Sequence, residues 1–273
     1  MDFKKIIISR TDSIGDVILT LPVTGILKKL LPESEVIFLG RSYTKDIIAS
    51  CKHIDQFVEW DNVLGLDQAA RINFFQNLNA DAIIHVFPVK EIAELSKHAK
   101  IPLRIGTTGR YYHYYTCNRL VAMSRRRSKL HEAQLNLKLI QPFGGKGVYT
   151  IKEIQESYGI SINDPLNPNV LMLIDKNKFN LILHPKSKGS AREWGIENYS
   201  KLIRILPEDK FRIFITGTHE EGLLVKKNLI DLHSNIIDLT GKFSLKELIS
   251  FINETIIIQL RILKVAGMKR GIK

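Results

Sequence analysis

Short apolar runs alternate with helix-length stretches along most of this chain, and two of the runs break into the same kind of polar turn. Ile6-Ile7-Ile8 passes straight into Ser9-Arg10-Thr11-Asp12-Ser13-Ile14-Gly15-Asp16 and then into an apolar-periodic stretch from Val17-Ile18-Leu19. Far downstream, Phe179-Asn180-Leu181-Ile182-Leu183 empties into His184-Pro185-Lys186-Ser187-Lys188-Gly189-Ser190-Ala191-Arg192-Glu193-Trp194, before a helical pattern over Ile196 to Leu206. Each reads as a buried strand, a tight polar loop and a helix entry. Strands alternating with helices predict an α/β fold with a parallel sheet. In such a sheet ligands bind beyond the carboxyl ends of the strands, where backbone N–H groups of helix entries converge unpaired.

That rule puts Asp16 at the mouth of a candidate site, although a carboxylate in a first helical turn also serves to cap the helix or complement its dipole. In the second loop the small residues Ser187, Gly189 and Ser190 let a ligand approach the backbone, while Lys186, Lys188 and Arg192 supply fixed positive charge. The set suits a phosphate or diphosphate. Its structural alternative is a solvated basic loop with Trp194 anchoring the following helix.

Between these loops the pattern continues. Strands are expected at Val36 to Leu39, Phe57 to Trp60 and Ala82 to Phe87, with helices near Thr44 to Cys51 and Asp67 to Leu78. Pro22 should kink the first helix or split a short first turn from the main one. Tyr158 to Lys178, with Pro165 and Pro168, reads as the inter-domain linker. Strands at Phe211 to Thr216 and Ile236 to Leu239 then alternate with helices at Glu220 to Ile230 and Ser244 to Ile252.

With 273 residues and 44% hydrophobic content, the chain is long enough for two α/β units. Cys51 and Cys117 give neither a disulfide framework nor metal-ligand spacing. Met1-Asp2-Phe3-Lys4-Lys5 leads directly into a strand-like run, so neither a signal peptide nor a transmembrane helix is expected and the location is read as cytoplasmic. Nor does a dinucleotide-binding glycine fingerprint, a Walker loop or a zinc-protease motif occur.

The net charge of +12 is uneven. Arg104, Arg110, Arg119, Arg125, Arg126, Arg127 and Lys129 lie between Leu103 and His131 with no acidic residue among them, interleaved with Tyr111, Tyr112, Tyr114 and Tyr115. Such a segment stacks on bases or sugars, or sits beside anionic headgroups. A nucleic-acid-binding protein is therefore an alternative, although no helix-turn-helix, zinc-finger or RNA-recognition pattern accompanies the charge. His85 reads as a core histidine at a strand end. His131 with Glu132 opens a helix after the basic segment, either orienting a ligand or stabilising the helix start.

Taken together, these loops resemble the glycosyltransferase family that includes the bacterial lipopolysaccharide heptosyltransferases, glycosyltransferase family 9. The resemblance is carried by Asp12-Ser13-Ile14-Gly15-Asp16-Val17 with Leu21-Pro22, His131-Glu132 with Asn136, and His184-Pro185 through Arg192-Glu193-Trp194. Ile215-Thr216-Gly217 and Asp238-Leu239-Thr240-Gly241 continue it, and it stops near Asn253. It implies the GT-B arrangement of two Rossmann-like domains. Residues 1–165 would form the acceptor-side domain, 166–253 a partial nucleotide-sugar domain, and 254–273 an atypical basic tail.

The implied function is inverting transfer of a heptose from a nucleotide-diphosphate donor such as ADP-heptose to a lipopolysaccharide core or related anionic glycolipid. No metal or other cofactor is implied, since no Asp-x-Asp pair is present to hold one on the diphosphate. Asp16 would be the general base; Lys186, Ser187 and Arg192 would hold the donor phosphates. Gly15, Thr216, Gly217 and Glu220 would line the donor side, and Arg10, Arg110 and His131 the acceptor side. Contact with a membrane surface is compatible with such an acceptor, and no specific nucleic acid is implied. After Asn253 the family's Asp-x-Gly-Pro-x-His-like turn is replaced by a tail of five basic residues and one acidic. The expectation is a truncated second domain with weak or absent activity, so a catalytically inactive member that still binds ligand is the other alternative.

Overall fold

The computed structural model describes residues 3–125, 127–161, 165–187 and 192–255. They fall into two compact units that divide after Ser161. The N-terminal unit is built on a six-stranded sheet in the order β3-β2-β1-β4-β5-β6, with every neighbouring pair parallel. Its strands are β1 (Lys5–Ser9), β2 (Glu35–Gly40), β3 (Gln56–Glu59), β4 (Ala82–His85), β5 (Leu103–Thr107) and β6 (Arg119–Val121). This is the doubly wound order, in which the chain reverses direction between β1 and β4 and leaves a crevice beyond their carboxyl ends.

The apolar runs are continuous because both faces of the sheet are covered. Ile7, Ile37, Leu39 and Ile83 pack on one face against Trp60, Phe75, Ile92 and Leu95. Alternate residues Ile6, Ile8, Val36, Phe38 and Ile84 are equally buried. Pro22 separates two helices as expected: Ile14–Ile18 ends before Leu21–Leu30 begins, with the proline in the first turn, where its missing N–H costs nothing. Gly25 in the second helix lies against Ser157, and a Cβ there would stand 2.0 Å from the Ser157 carbonyl oxygen.

Two expectations need correction. The basic segment after Leu103 is no uniform surface patch, because it contains β5 and β6 and spends some cations internally. The Arg104 guanidinium donates to the carbonyl of Thr116 at 2.7 Å and to that of Ile101 at 2.5 Å. The expected linker is also narrower than Tyr158 to Lys178. Ile160 bridges to Cys51 inside the N-terminal unit, while the helix Pro168–Leu171 packs near the helix Leu245–Glu254 of the second. The physical reason is local apolar content: Leu166, Val170, Leu173 and Ile174 cover the second sheet.

That second sheet has three parallel strands among the described residues, β7 (Phe179–Leu183), β8 (Phe211–Ile215) and β9 (Ile236–Asp238), in that order. Leu181, Leu183, Ile213 and Ile215 face Tyr199, Ile203, Val225 and Leu229; Ile182 and Phe214 face Leu239 and Phe251 on the other side. Phe214 and Phe251 meet edge to face at 5.0 Å, a pairing worth about 0.5–1.5 kcal/mol beyond its buried area. No helix among the described residues is long and apolar enough to cross a membrane. The expected basic tail falls largely on residues 256–273, outside the described residues.

Candidate functional site

In the N-terminal unit the chain leaves β1 at Ser9, and the Arg10 N–H donates to the Leu39 carbonyl at 3.0 Å, which holds the loop against the end of β2. The Arg10 side chain is only 3% exposed. A buried guanidinium needs anions around it, and three converge. Nε donates to Asp12 Oδ1 at 2.6 Å, Nη2 lies 3.1 Å from Asp16 Oδ1, and Nη1 faces Glu132 Oε1 at 3.7 Å. The other Asp16 oxygen accepts from the Ser13 hydroxyl at 2.6 Å. Asp16 therefore does not cap its helix; its carboxylate is held on both oxygens while remaining a quarter exposed, at 26%. Asp12 is more enclosed. Burial pushes its carboxyl above the ordinary range, against the pull of Arg10, and the Asp16 charge adds to the upward push.

Glu132 is brought to this group from a distant part of the sequence. Arg125 Nε donates to Glu132 at 2.7 Å, and its Nη2 donates to the Val86 carbonyl at 3.2 Å. Asn136, one turn further along the same helix, donates to the Leu19 carbonyl at 3.1 Å. Phe87 lies beneath the Arg10 guanidinium, with its ring centre 5.8 Å from Cζ. The ends of β1 and β4 and the start of the helix Glu132–Leu137 thus share one polar cluster. Tyr43 closes it from the segment after β2, its hydroxyl donating to the Asp12 carbonyl at 2.7 Å.

Of the expected acceptor-side residues, Arg10 is a buried counter-charge rather than an open binding group. His131 is exposed but occupied: its Nδ1 accepts from the Ala133 N–H at 3.3 Å, while Gln134 returns the bond to the His131 N–H at 2.9 Å. The helix start is therefore stabilised by His131 and Gln134, and Glu132 is released to the arginines. Arg110 is exposed on the loop after β5, beside the exposed rings of Tyr111 and Tyr114. Gly15 stands in open space, since an added Cβ would meet nothing within 4 Å.

In the second unit β7 ends at Leu183, and His184 Nδ1 lies 3.1 Å from the hydroxyl of buried Thr216 at the end of β8. Lys186 and Ser187 follow, and both are drawn to Glu193. The Lys186 ammonium donates to it at 2.6 Å and the Ser187 N–H at 3.1 Å, and Lys186 holds the Glu193 carboxyl below its usual range. Arg192 is exposed beside this pair. Lys188, Gly189 and Ser190 lie outside the described residues.

Thr218 caps the helix His219–Leu229, accepting from the Glu221 N–H at 3.3 Å while Glu221 accepts from the Thr218 N–H at 2.8 Å. Glu220 is exposed in the first turn. The Gly217 carbonyl accepts from the Gly241 N–H at 2.9 Å. Asp238 folds its own turn by accepting from the Thr240 N–H and hydroxyl at 3.0 and 2.6 Å. The turn then packs on the helix start so closely that a Cβ on Gly222 would lie 2.1 Å from the Thr240 hydroxyl. Thr216-Gly217 and Asp238 to Gly241 are thus one packed corner.

Residue-level reading missed Glu132, Arg125 and Tyr43 as parts of the first cluster. One signal was available. An arginine separated by one residue from the apolar run Ile6-Ile7-Ile8 stands where the chain leaves a buried strand, and a buried cation needs carboxylates.

A family model described as glycosyltransferase family 9 (heptosyltransferase) matches residues 73–258. The lipopolysaccharide core heptosyltransferase OpsX of Haemophilus influenzae is 21% identical over 270 residues, covering 92% of this chain and 71% of the relative. Among solved structures, the heptosyltransferase WaaC of E. coli with ADP-2-deoxy-2-fluoro heptose superposes with a TM-score of 0.70 at 17% identity, over 92% of this chain and 80% of that one. A family 9 glycosyltransferase of Veillonella parvula superposes at 0.69 and 15% identity, over 93% of this chain and 74% of that one.

Proposed function

This chain belongs to glycosyltransferase family 9, and on that premise we propose that it moves a heptose or related sugar from a nucleotide-diphosphate donor such as ADP-heptose to a lipopolysaccharide core or similar anionic glycolipid. The names of its relatives support the donor and acceptor classes: one acts on the lipopolysaccharide core, and a solved structure holds a fluorinated ADP-heptose. In this reading Asp16 takes the proton of the acceptor hydroxyl as that oxygen attacks the anomeric carbon. The bond from that carbon to the diphosphate breaks on the opposite face, and its electron pair leaves with the nucleotide. Configuration inverts because attack and departure are on opposite sides.

Arg192 and Lys186 would meet the leaving charge, with Ser187, Thr216, Gly217 and Glu220 around the donor and no cofactor required. Gly15 would admit the donor sugar by its lack of a side chain. Arg110, with Tyr111 and Tyr114, would meet the glycolipid at the inner face of the cytoplasmic membrane.

The observation that carries this reading is the Asp16 carboxylate, fixed by Ser13 and Arg10 yet partly exposed at the carboxyl end of a central strand. Asp16→Asn should lower turnover by about 10²–10⁴-fold while leaving donor affinity nearly unchanged. The check is transfer from ADP-heptose to a lipopolysaccharide core oligosaccharide, followed by mass spectrometry. Parental turnover in that variant would remove Asp16 from the mechanism.

A further inference from the structure

We propose that Arg10 is a positioning residue that sets the basicity of Asp16 by dividing one buried guanidinium among Asp12, Asp16 and Glu132. This rests on Asp16 being the base. The geometry is unequal. Each of the three guanidinium nitrogens faces a different carboxylate, at 2.6 Å for Asp12, 3.1 Å for Asp16 and 3.7 Å for Glu132. Nη1 is buried and has no hydrogen-bond partner among the described residues, because Glu132 stops just beyond reach.

A carboxylate fully paired with one arginine is a weak base, since the cation favours its ionised form. An arginine claimed by three carboxylates stabilises each of them less. Asp16 is then held in place by Ser13 and by an Arg10 whose charge it shares with Asp12 and Glu132. Glu132 acts at the other end of this balance, drawing on the Arg10 charge while Arg125 steadies it from outside at 2.7 Å. It reaches the cluster only through tertiary structure. Its helix is fixed at the start by His131 and Gln134 and tied to the first loop by the bond from Asn136 to Leu19.

The charged and titratable groups that face Asp16 come from three places. Arg10 and Asp12 share its loop. Tyr43 comes from the segment after β2, with Arg41 and Asp61 behind it, and Glu132 and Arg125 come from the helix start and the loop before it. Phe87, after β4, adds an uncharged ring. Removing a cation and removing an anion from this set must move the titration of Asp16 in opposite directions, which a merely structural role for Arg10 would not do.

The experiment measures the pH dependence of transfer from ADP-heptose in the parental chain and in Arg10→Met, Arg10→Lys and Glu132→Gln, with the Asp16 carboxyl carbon followed by NMR in each protein. The acid limb should move up by about one to three pH units in Arg10→Met and return toward the parental position in Arg10→Lys, which keeps the charge but not the fork. It should move down in Glu132→Gln, where Arg10 is left to the two aspartates. The carboxyl signal should follow each limb. If Arg10→Met does not fold, Glu132→Gln decides alone, because it leaves both arginine–aspartate contacts in place. A limb that stays fixed or moves up in Glu132→Gln overturns the proposal. Full turnover in Asp16→Asn would instead remove the base itself, so an inactive Asp16→Asn with an unmoved limb identifies the positioning role as the part that fails.

Discussion

Lys186, the cation nearest the end of β7, already holds an anion. Its ammonium and the Ser187 N–H both bind Glu193, so a diphosphate must displace that carboxylate or share its donors. Arg192, next to Glu193 in sequence, is exposed and forms no ion pair among the described residues. Arg192→Ala should therefore weaken ADP binding by about tenfold, the scale of one charge-assisted hydrogen bond, and leave adenosine binding unchanged. Isothermal titration with the two ligands checks this, and equal losses for both would assign Arg192 to the nucleoside or to the fold. Glu193→Gln should strengthen ADP binding, because the amide competes less well for Lys186. A weaker complex would mean that Glu193 shapes the loop for its ligand.

Two helices of the N-terminal unit give the same substitution opposite outcomes. In Leu21–Leu30 a methyl on Gly25 would meet the backbone of Ser157 at 2.0 Å, and a backbone carbonyl cannot swing aside as a side chain can. Gly25→Ala should cost about 1–3 kcal/mol or more despite the gain in helix propensity. In Ile14–Ile18 a methyl on Gly15 meets nothing, so Gly15→Ala should hold or raise stability. It should nevertheless lower donor affinity if that space admits the sugar. Urea unfolding together with donor titration separates the two, and loss of stability at Gly15 would contradict the open geometry. In the second unit the Thr218 hydroxyl supplies one half of the reciprocal cap of His219–Leu229, and Thr218→Ala should cost about 1 kcal/mol.

For the N-terminal unit as a whole, acid stability is set by histidines that play no part in the proposed chemistry. His85 is fully buried at the end of β4, with the tilted ring of His113 centred 5.6 Å away, and burial pushes its pKa down to about 3. His113 is lowered in the same direction by burial. The unfolded chain binds a proton on His85 near pH 6.5 that the folded chain refuses until about pH 3. Stability is therefore fully present above pH 6.5 and falls as pH drops through that window. Linkage gives a loss of about 2 kcal/mol from His85 between pH 7 and pH 5. Urea midpoints measured across that range should fall in the parental chain and fall less in His85→Leu. Parallel slopes would show that His85 charges without cost.

Much of this was legible in the sequence. Ile6-Ile7-Ile8 and Leu181-Ile182-Leu183 are continuous because strands buried on both faces must be apolar at every position. Pro22 splits its helix because its nitrogen has no proton to donate. Asp16 and the Lys186 to Arg192 loop stand at strand ends by the local succession of strand, turn and helix. β5 and β6 were hidden, because Arg104 and Arg119 sit in short, mixed-polarity strands that are stabilised by pairing, β5 with β4 and β6 with β5. The sequence could place Asp16 beside Arg10 through adjacency alone. That Glu132, Arg125 and Tyr43 complete the cluster was decided by tertiary structure, since a buried cation chooses its partners by distance in space and no local pattern records which distant carboxylate the fold will bring to it.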